Sequence, residues 1–416
     1  MMHDGDQGDS TYFLLSTEEK IKQGLVGDRV VDLVDAILHQ AIEQGASDVH
    51  FQPDGHVLRI RYRIDGILYD RAPVAHELWF QVISRIKVIS ALDIAEKRVP
   101  QDGKFKVSMA TRRDSIDFRV STFPSIYGEK LVVRILDRSS NLLSLDSLGF
   151  SAQNLAAIKA VVTAPYGFFL VTGPTGAGKT TTLYAILSSL NSAEKNIITM
   201  EDPVEYDLSG ITQSQVNRHT GFMFENGLRS ILRQDPDIIM IGEIRDAPTV
   251  SMAIESALTG HLVLSTLHTN DAAGVITRLI DMGVEPFLIN ASLSGVLAQR
   301  LARKLCDYCK KEVIVTSAER VLAEKNGVQL KRLFKATGCK HCLNLGYKGR
   351  VGLFEFLMPS EGLRQCISGF SGKMSHKIIR EQAIQDGMVS LFHDGISKVN
   401  QGIISLEELV LVAGSV

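Results

Sequence analysis

From Val30 onward, apolar residues recur at helical spacing through Leu33, Ile37, Leu38 and Ala41, and Gly45 ends the run. Residues 57–64, VLRIRYRI, alternate instead. Leu58, Ile60, Tyr62 and Ile64 fall on one side and Arg59, Arg61 and Arg63 on the other, as in a half-buried strand. Asp65-Gly66 reads as a tight turn into Ile67-Leu68-Tyr69, a hairpin signal. Val82, Ile86 and Ile89 predict a helix over 76–97, and IDFRVST and KLVVRIL read as two more strands. These elements predict a small α+β domain over 30–136 behind a polar lead-in of 1–29.

The stretch 137–150, DRSSNLLSLDSLGF, reads as a linker, and beyond it the pattern changes. GFFLVTG, NIITM, PDIIMIG and HLVLSTL are nearly continuous apolar runs separated by helical patterns. Runs of that kind belong to a parallel sheet covered on both faces, so an α/β core is expected over 151–303. A cysteine-bearing segment follows over 304–350, and 351–416 reads as mostly helical. No internal repeat or low-complexity tract interrupts this plan.

The chain has 416 residues, 45% hydrophobic and 22% charged, which suits two or three compact domains with ordinary cores. A net charge of −2 exerts no general pull on nucleic acid or acidic membranes, and no basic tract is interleaved with aromatics. The acidic start, MMHDGDQGDS, lacks the basic and apolar regions of a secretory signal. No run approaches the ~18 to 20 apolar residues that span a bilayer. A cytosolic chain is therefore expected, touching membranes only through partners.

Gly173-Pro174-Thr175-Gly176-Ala177-Gly178-Lys179-Thr180 is a complete Walker A sequence, followed by Thr181. Phe168 to Thr172 supply the strand before it, and Leu183, Ile186, Leu187 and Leu190 the helix behind it. Such a loop turns its amide N–H groups and a helix N-terminus toward phosphates, here those of ATP. Lys179 is expected at the β- and γ-phosphates, with the Thr180 hydroxyl on Mg²⁺.

Three further boxes follow in order. ITMEDPVE places Glu201, Asp202 and Glu205 at a strand end; LRQDPDIIMIGEIRD puts Glu243 just past a buried strand; TGHLVLSTLHTNDA carries His261 and His268 around another. At the carboxyl ends of neighbouring parallel strands such residues converge on a ligand crevice. With the Walker A sequence, these boxes resemble the type II secretion and type IV pilus assembly ATPases, from about Val30 to the C-terminus.

The resemblance implies a RecA-like P-loop core preceded by a PAS-like α+β domain, with a tetracysteine zinc subdomain and a helical C-terminus. It implies that Glu243 polarises the attacking water and that Asp202 and Glu205 act around Mg²⁺. His261 and His268 would couple nucleotide state to motion. Gly242 stands where other P-loop enzymes often carry a strand-end acid, which leaves the metal's protein ligands open beyond Thr180. Phosphoryl transfer needs further positive charge, and positions matching Arg119 and Arg134 lie near the γ-phosphate in the family. Arg59, Arg61 and Arg63 fit that task and a solvated strand face equally well.

Four of five cysteines form two tight pairs, Cys306/Cys309 and Cys339/Cys342, separated by 29 residues. Such pairs can give four thiolates to a tetrahedral, structural Zn²⁺, with His341 as a rarer substitute ligand. The family's extension and secretion branch carries a similar segment. Cys366 reads as a small core residue.

The expectation is a homo-hexameric ATPase at the inner membrane, driving pseudopilus or pilus assembly through platform and assembly proteins, with no stable nucleic-acid partner. Longer family members carry an extra N-terminal docking domain; with about 30 residues before the first matched domain, that module is expected to be absent. A DNA-uptake or conjugation motor and a nucleotide-binding scaffold with little turnover are the alternatives.

Overall fold

The computed structural model describes residues 11–13, 29–109, 115–136, 143–369 and 375–414. The expected lead-in over 1–29 lies outside these residues apart from 11–13 and Arg29, as do residues 137–142 of the expected linker. The chain forms two units, Met1–Asn141 and Leu142–Val416.

The first unit is built on a mixed sheet of β1 (Thr11–Phe13), β2 (Ala46–Asp54), β3 (Val57–Ile64), β4 (Ile67–Asp70), β5 (Val74–Ala75), β6 (Gln101–Ser108), β7 (Ile116–Ser125) and β8 (Gly128–Leu136). The order is β1-β6-β7-β8-β2-β3-β4, with β5 also on β3; β1 runs parallel to β6 and the other pairs are antiparallel. Leu58, Ile60, Tyr62 and Ile64 share one core with Val34, Leu38 and Ala41 of helix Arg29–Glu43 and Val82, Ile83 and Ile86 of helix His76–Ile89. The period-2 and period-3.6 apolar sets therefore meet in one layer interface.

The second helix ends at Ile89, short of the expected 97. Leu92 N–H bonds back to Lys87 O, Ala91 turns left-handed at φ 55°, and the Asp93 carboxylate accepts the Ala95 amide at 2.8 Å. A local side-chain turn thus outcompetes helical continuation. β2 and β6 were not anticipated: ASDVHFQPD and QDGKFKVS are too polar to announce themselves and become strands through their pairing partners. Within the core edge, Lys87 Nζ and Glu129 Oε1 form a buried ion pair at 2.8 Å, and Lys87 also donates to Glu96 O at 2.6 Å.

The second unit has a seven-stranded sheet of β9 (Gly167–Thr172), β10 (Ile197–Glu201), β11 (Thr212–Gln215), β12 (Ile238–Ile241), β13 (Leu262–Leu267), β14 (Leu293–Leu305) and, after a β15/β16 pair (Lys311–Val313, Leu333–Lys335), β17 (Tyr347–Leu357). Its order is β11-β10-β12-β13-β9-β14-β17, parallel throughout except for the β14–β17 pair. Successive residues of the apolar runs serve opposite faces. Phe169 and Val171 pack with helices Ala152–Val162 and Lys179–Leu190, whereas Phe168 and Leu170 join the core of helices Ala247–Leu258 and Ala273–Asp281. Burial on both faces is why these strands read as continuous rather than alternating.

Two expectations need amending. Residues 145–150 are packed structure: Leu145 and Leu148 are buried in the core of the second unit, and Phe150 stacks on Phe354 with centroids 3.8 Å apart. The region 351–416 is helical only after β17, whose apolar run VGLFEFL completes the sheet edge against β14. The helices behind it, Leu391–Asn400 and Leu406–Ala413, share a core with Leu330 and Leu333 of the cysteine-bearing segment.

Candidate functional site: strand ends around a phosphate loop

Thr172 closes β9, and the loop from Gly173 to Gly178 leads into helix Lys179–Leu190. Gly178 adopts φ 84°, a left-handed turn that tips the helix N-terminus toward the loop. A Cβ at Gly173 would lie 2.5 Å from the Gln299 carbonyl oxygen, so only glycine lets β14 press against the loop. Ala177 is buried, Pro174, Thr175 and Gly176 are exposed, and Thr180 and Thr181 are half-buried in the first helical turn.

The Lys179 ammonium donates to the carbonyls of Gly173 at 2.8 Å and Pro174 at 3.2 Å, which holds it over the loop. Burial lowers its pKa; the Glu243 charge opposes that, and Arg300 adds to it. Glu243 follows β12 after Gly242 and accepts from Arg245, with His268 Nε2 3.6 Å from its other oxygen. His268 follows β13, and its pKa is lowered by burial first and by Lys179 second, against Glu243.

Gly242 has a packing reason. A Cβ there would come within 3.3 Å of the Glu201 backbone, and the Gly242 amide donates to Met200 O at 2.8 Å. The missing side chain lets the ends of β10 and β12 close together. Asp202 accepts from Arg218 at 3.1 Å, and its charge is felt by Arg245. Glu205 lies three residues further along the same half-buried segment.

The structure thus gathers Lys179, Asp202, Glu243 and His268 at the carboxyl end of one sheet. His261 stands elsewhere. It precedes β13, its carbonyl accepts the amide of Gly167 at the start of β9, and its Nδ1 lies 2.9 Å from Ser256 O. That is the amino end of the same strands, roughly 17 Å from the loop at ~3.3 Å per residue. The two histidines lie around one strand, as expected, but at its opposite ends, and only His268 stands at the phosphate-loop end.

Arg119 and Arg134 belong to the first unit, where β7 and β8 place them directly opposite each other. Arg134 Nε donates to Asp48 Oδ1 at 3.0 Å, and Arg63 lies 3.7 Å from the other oxygen of the same carboxylate. Arg59 pairs with Asp70 and Arg61 donates to Gln52, so the arginine row on β3 is tied into its sheet. His50 sits among these cations, its pKa pushed down to about 4 by burial first and Arg63 next, with Asp48 opposing. Between pH 6.5 and about 4 the unfolded chain binds the proton that folded His50 refuses, so acidification through this window removes stability. Melting temperature measured at pH 7 and pH 4.5 is expected to fall less in a His50→Gln variant than in the parent.

Sequence reading missed Gln299 and Arg300 of β14. Gln299 Oε1 accepts the Thr182 hydroxyl at 2.7 Å, while Arg300 donates to Gln299 O at 3.1 Å and Asn270 O at 2.7 Å. These two residues brace the phosphate loop against the loop after His268. Their signal was a polar pair inside the apolar run GVLAQRLA. A second brace joins Thr172 and Thr269, whose hydroxyls are 2.8 Å apart.

The four cysteines converge. Their Sγ atoms all lie within 4.8 Å of one another, with Cys306–Cys339 at 3.9 Å and Cys309–Cys342 and Cys339–Cys342 each at 3.8 Å. Tetrahedral Zn–S bonds of about 2.3 Å require S–S edges of about 3.8 Å, so this cluster fits zinc. Burial raises the Cys342 pKa, but the amides of Cys339 and Gly346 outweigh it and bring it down to about 7; burial pushes Cys306 up to about 11. His341 stacks its ring on Tyr308 with centroids 4.0 Å apart.

Comparison with known proteins follows the same lines. The sequence matches the family described as Type II/IV secretion system protein over residues 26–411. It is 45% identical over 416 residues to the Type II secretion system ATPase E of Vibrio cholerae serotype O1, covering 99% of this chain and 82% of the relative. It is 46% identical over 384 residues to the Type IV pilus assembly ATPase PilB of Myxococcus xanthus, covering 92% of this chain and 67% of that one. The fold is similar to the Legionella pneumophila ATPase DotB, with a TM-score of 0.68 at 21% identity over 97% of this chain and 99% of that one. It is also similar to the pilus retraction motor PilT with bound ADP, with a TM-score of 0.60 at 25% identity over 90% and 95% of the two chains.

Proposed function

The chain belongs to the Type II/IV secretion system protein family, and we propose that it works as a hexameric motor in which Lys179, Glu243 and His268 surround the transferring phosphate. Hydrolysis of ATP to ADP and phosphate, in the service of type II secretion or type IV pilus assembly, follows from its family. What carries the division of roles is the cluster at the carboxyl sheet edge, where Glu243 lies between His268 and the field of Lys179.

In this reading the amides of residues 173–181 hold the triphosphate, and Lys179 neutralises its β- and γ-oxygens. Glu243 orients and deprotonates the attacking water. His268 senses the γ-phosphate, while His261, at the other end of β13, takes part in transmitting the change. The Thr180 hydroxyl, on the helix's first turn, with Asp202 and Glu205 on the adjoining segment, would hold Mg²⁺, which supplies charge neutralisation to the phosphates when bound. Arg119 and Arg134 add positive charge to the phosphoryl group in transfer.

We read the first unit as PAS-like and the second as RecA-like, the latter supported by its parallel sheet with the phosphate loop between β9 and its helix. Cys306, Cys309, Cys339 and Cys342 would hold a structural Zn²⁺, supported by their sulfur spacing. The motor would act from the cytoplasm on inner-membrane platform and assembly proteins. No helix among the described residues is long and apolar enough to cross a membrane, which suits contact through partners.

Phosphate release by purified protein tests the assignment. Arg119→Ala and Arg134→Ala are expected to slow hydrolysis at least about tenfold while ATP affinity stays within about threefold. Parent rates in both variants would leave these arginines without a catalytic part. Stimulation of hydrolysis by DNA, lost with rising salt, would instead favour the DNA-linked reading.

A further inference from the structure

Tyr184 lies one helical turn behind Thr180, on the same face of helix Lys179–Leu190, and is 1% exposed. Its phenol has one proton to give and two lone pairs, and all three are engaged. It donates to Glu201 Oε2, accepts the Glu205 amide at 3.3 Å and accepts Gln213 Nε2 at 3.4 Å. Glu201 is itself buried, and its other oxygen accepts the Thr199 hydroxyl at 2.6 Å and Gln213 Nε2 at 3.1 Å. Gln213, on edge strand β11, further accepts the Leu208 amide at 2.7 Å and donates to Tyr206 O at 3.2 Å. The Tyr206 ring meets Tyr184 edge-on with centroids 4.6 Å apart.

The acids at the end of β10 and just after it therefore have unequal jobs. Glu201 turns inward and never reaches solvent, whereas Asp202 and Glu205 stay half-buried on the segment it anchors. The phenol ties the phosphate-loop helix to the buried carboxylate and to the backbone of Glu205. Burial foremost, then the bond to Glu201 and its charge, raise the Tyr184 pKa well above the usual phenol value. The proton thus stays on the phenol as the donor to Glu201.

We propose that Tyr184 is a positioning residue for Mg-ATP hydrolysis, fixing the Asp202–Glu205 segment at a set distance from the Thr180 hydroxyl through Glu201 and Gln213. The proposal rests on the reading of Thr180, Asp202 and Glu205 as the groups around Mg²⁺. Phenylalanine in its place keeps the packed ring but removes the donor to Glu201 and the acceptor that meets the Glu205 amide. The segment must then move to find partners, and displacement on the order of 1 Å is enough to slow a reaction substantially.

The test is Mg²⁺-dependent ATP hydrolysis, together with Mg²⁺ titration of the binding of a fluorescent non-hydrolysable ATP analogue, by the full chain as parent, Tyr184→Phe, Gln213→Ala, Glu205→Ala and the Tyr184→Phe/Glu205→Ala pair. Tyr184→Phe is expected to lower kcat about tenfold and raise the half-activating Mg²⁺ concentration about fivefold, with KM for ATP within about twofold. Gln213→Ala, a truncation at a sheet edge, shifts both in the same direction by about threefold even if Tyr184→Phe fails to fold. In the pair, the Tyr184 effect shrinks to the part exerted through Asp202, because Glu205 no longer needs positioning; a merely structural loss would add in full. Unchanged Mg²⁺ dependence in folded Tyr184→Phe or in Gln213→Ala, with Glu205→Ala shifted, overturns the positioning role alone. Unchanged Mg²⁺ dependence in Glu205→Ala overturns the reading of that acid, and the proposal with it.

Discussion

A Glu243→Gln protein is expected to hydrolyse ATP at least about 100-fold more slowly than the parent while binding ATP within about threefold of it. Glutamine matches the shape of the side chain and keeps an oxygen for Arg245, so the strand end need not move. What it loses is the proton acceptor. Steady-state phosphate release and binding of a fluorescent ATP analogue, measured on the same preparation, separate these effects. Equal rates in the two proteins would remove Glu243 from the chemistry and favour a scaffold with little turnover.

The parent is expected to carry about one zinc per chain, and a Cys339→Ser protein to lose most of it. Cys339 stands 3.9 Å from Cys306 and 3.8 Å from Cys342, so its sulfur joins both pairs. The segment it serves has little of its own to hold it: a β15/β16 pair of three residues each and one helix, Ser317–Lys325. Structural zinc contributes on the order of 10 kcal/mol or more to small domains of this kind. Without it, residues 310–338 should become the first site of proteolysis, and Leu330 and Leu333 should leave the core they share with Phe392 and Ile396. Elemental analysis and limited digestion read the two outcomes. A parent that is metal-free when purified reduced would leave four thiols without a metal-binding role.

Both results probe features with a local signature. A Walker A sequence, paired cysteines, and apolar runs of period 2 or 3.6 are written in consecutive residues, so the phosphate loop and its flanking elements were legible in advance. The same holds for VLRIRYRI, whose alternation reappears as alternating burial in β3. Strands β2, β6 and β14 were less legible. ASDVHFQPD and QDGKFKVS carry too few apolar residues, and LSGVLAQRLARKL fits helical spacing as well as a buried strand. Pairing decides such segments, because a strand's hydrogen bonds are made with residues distant in sequence.

The chain's own order of residues therefore determined the chemistry available: a glycine-rich Walker A turn, acids and histidines at strand limits, and four paired cysteine thiols. Tertiary structure alone decided which of these meet. It put His268 beside Glu243 and carried His261 to the far end of the strand, gave Gln299 and Arg300 to the phosphate loop, and turned Glu201 inward onto Tyr184. Motifs are properties of neighbouring residues, whereas strand order and direction place residues about 120 positions apart, such as Gly178 and Gln299, in contact.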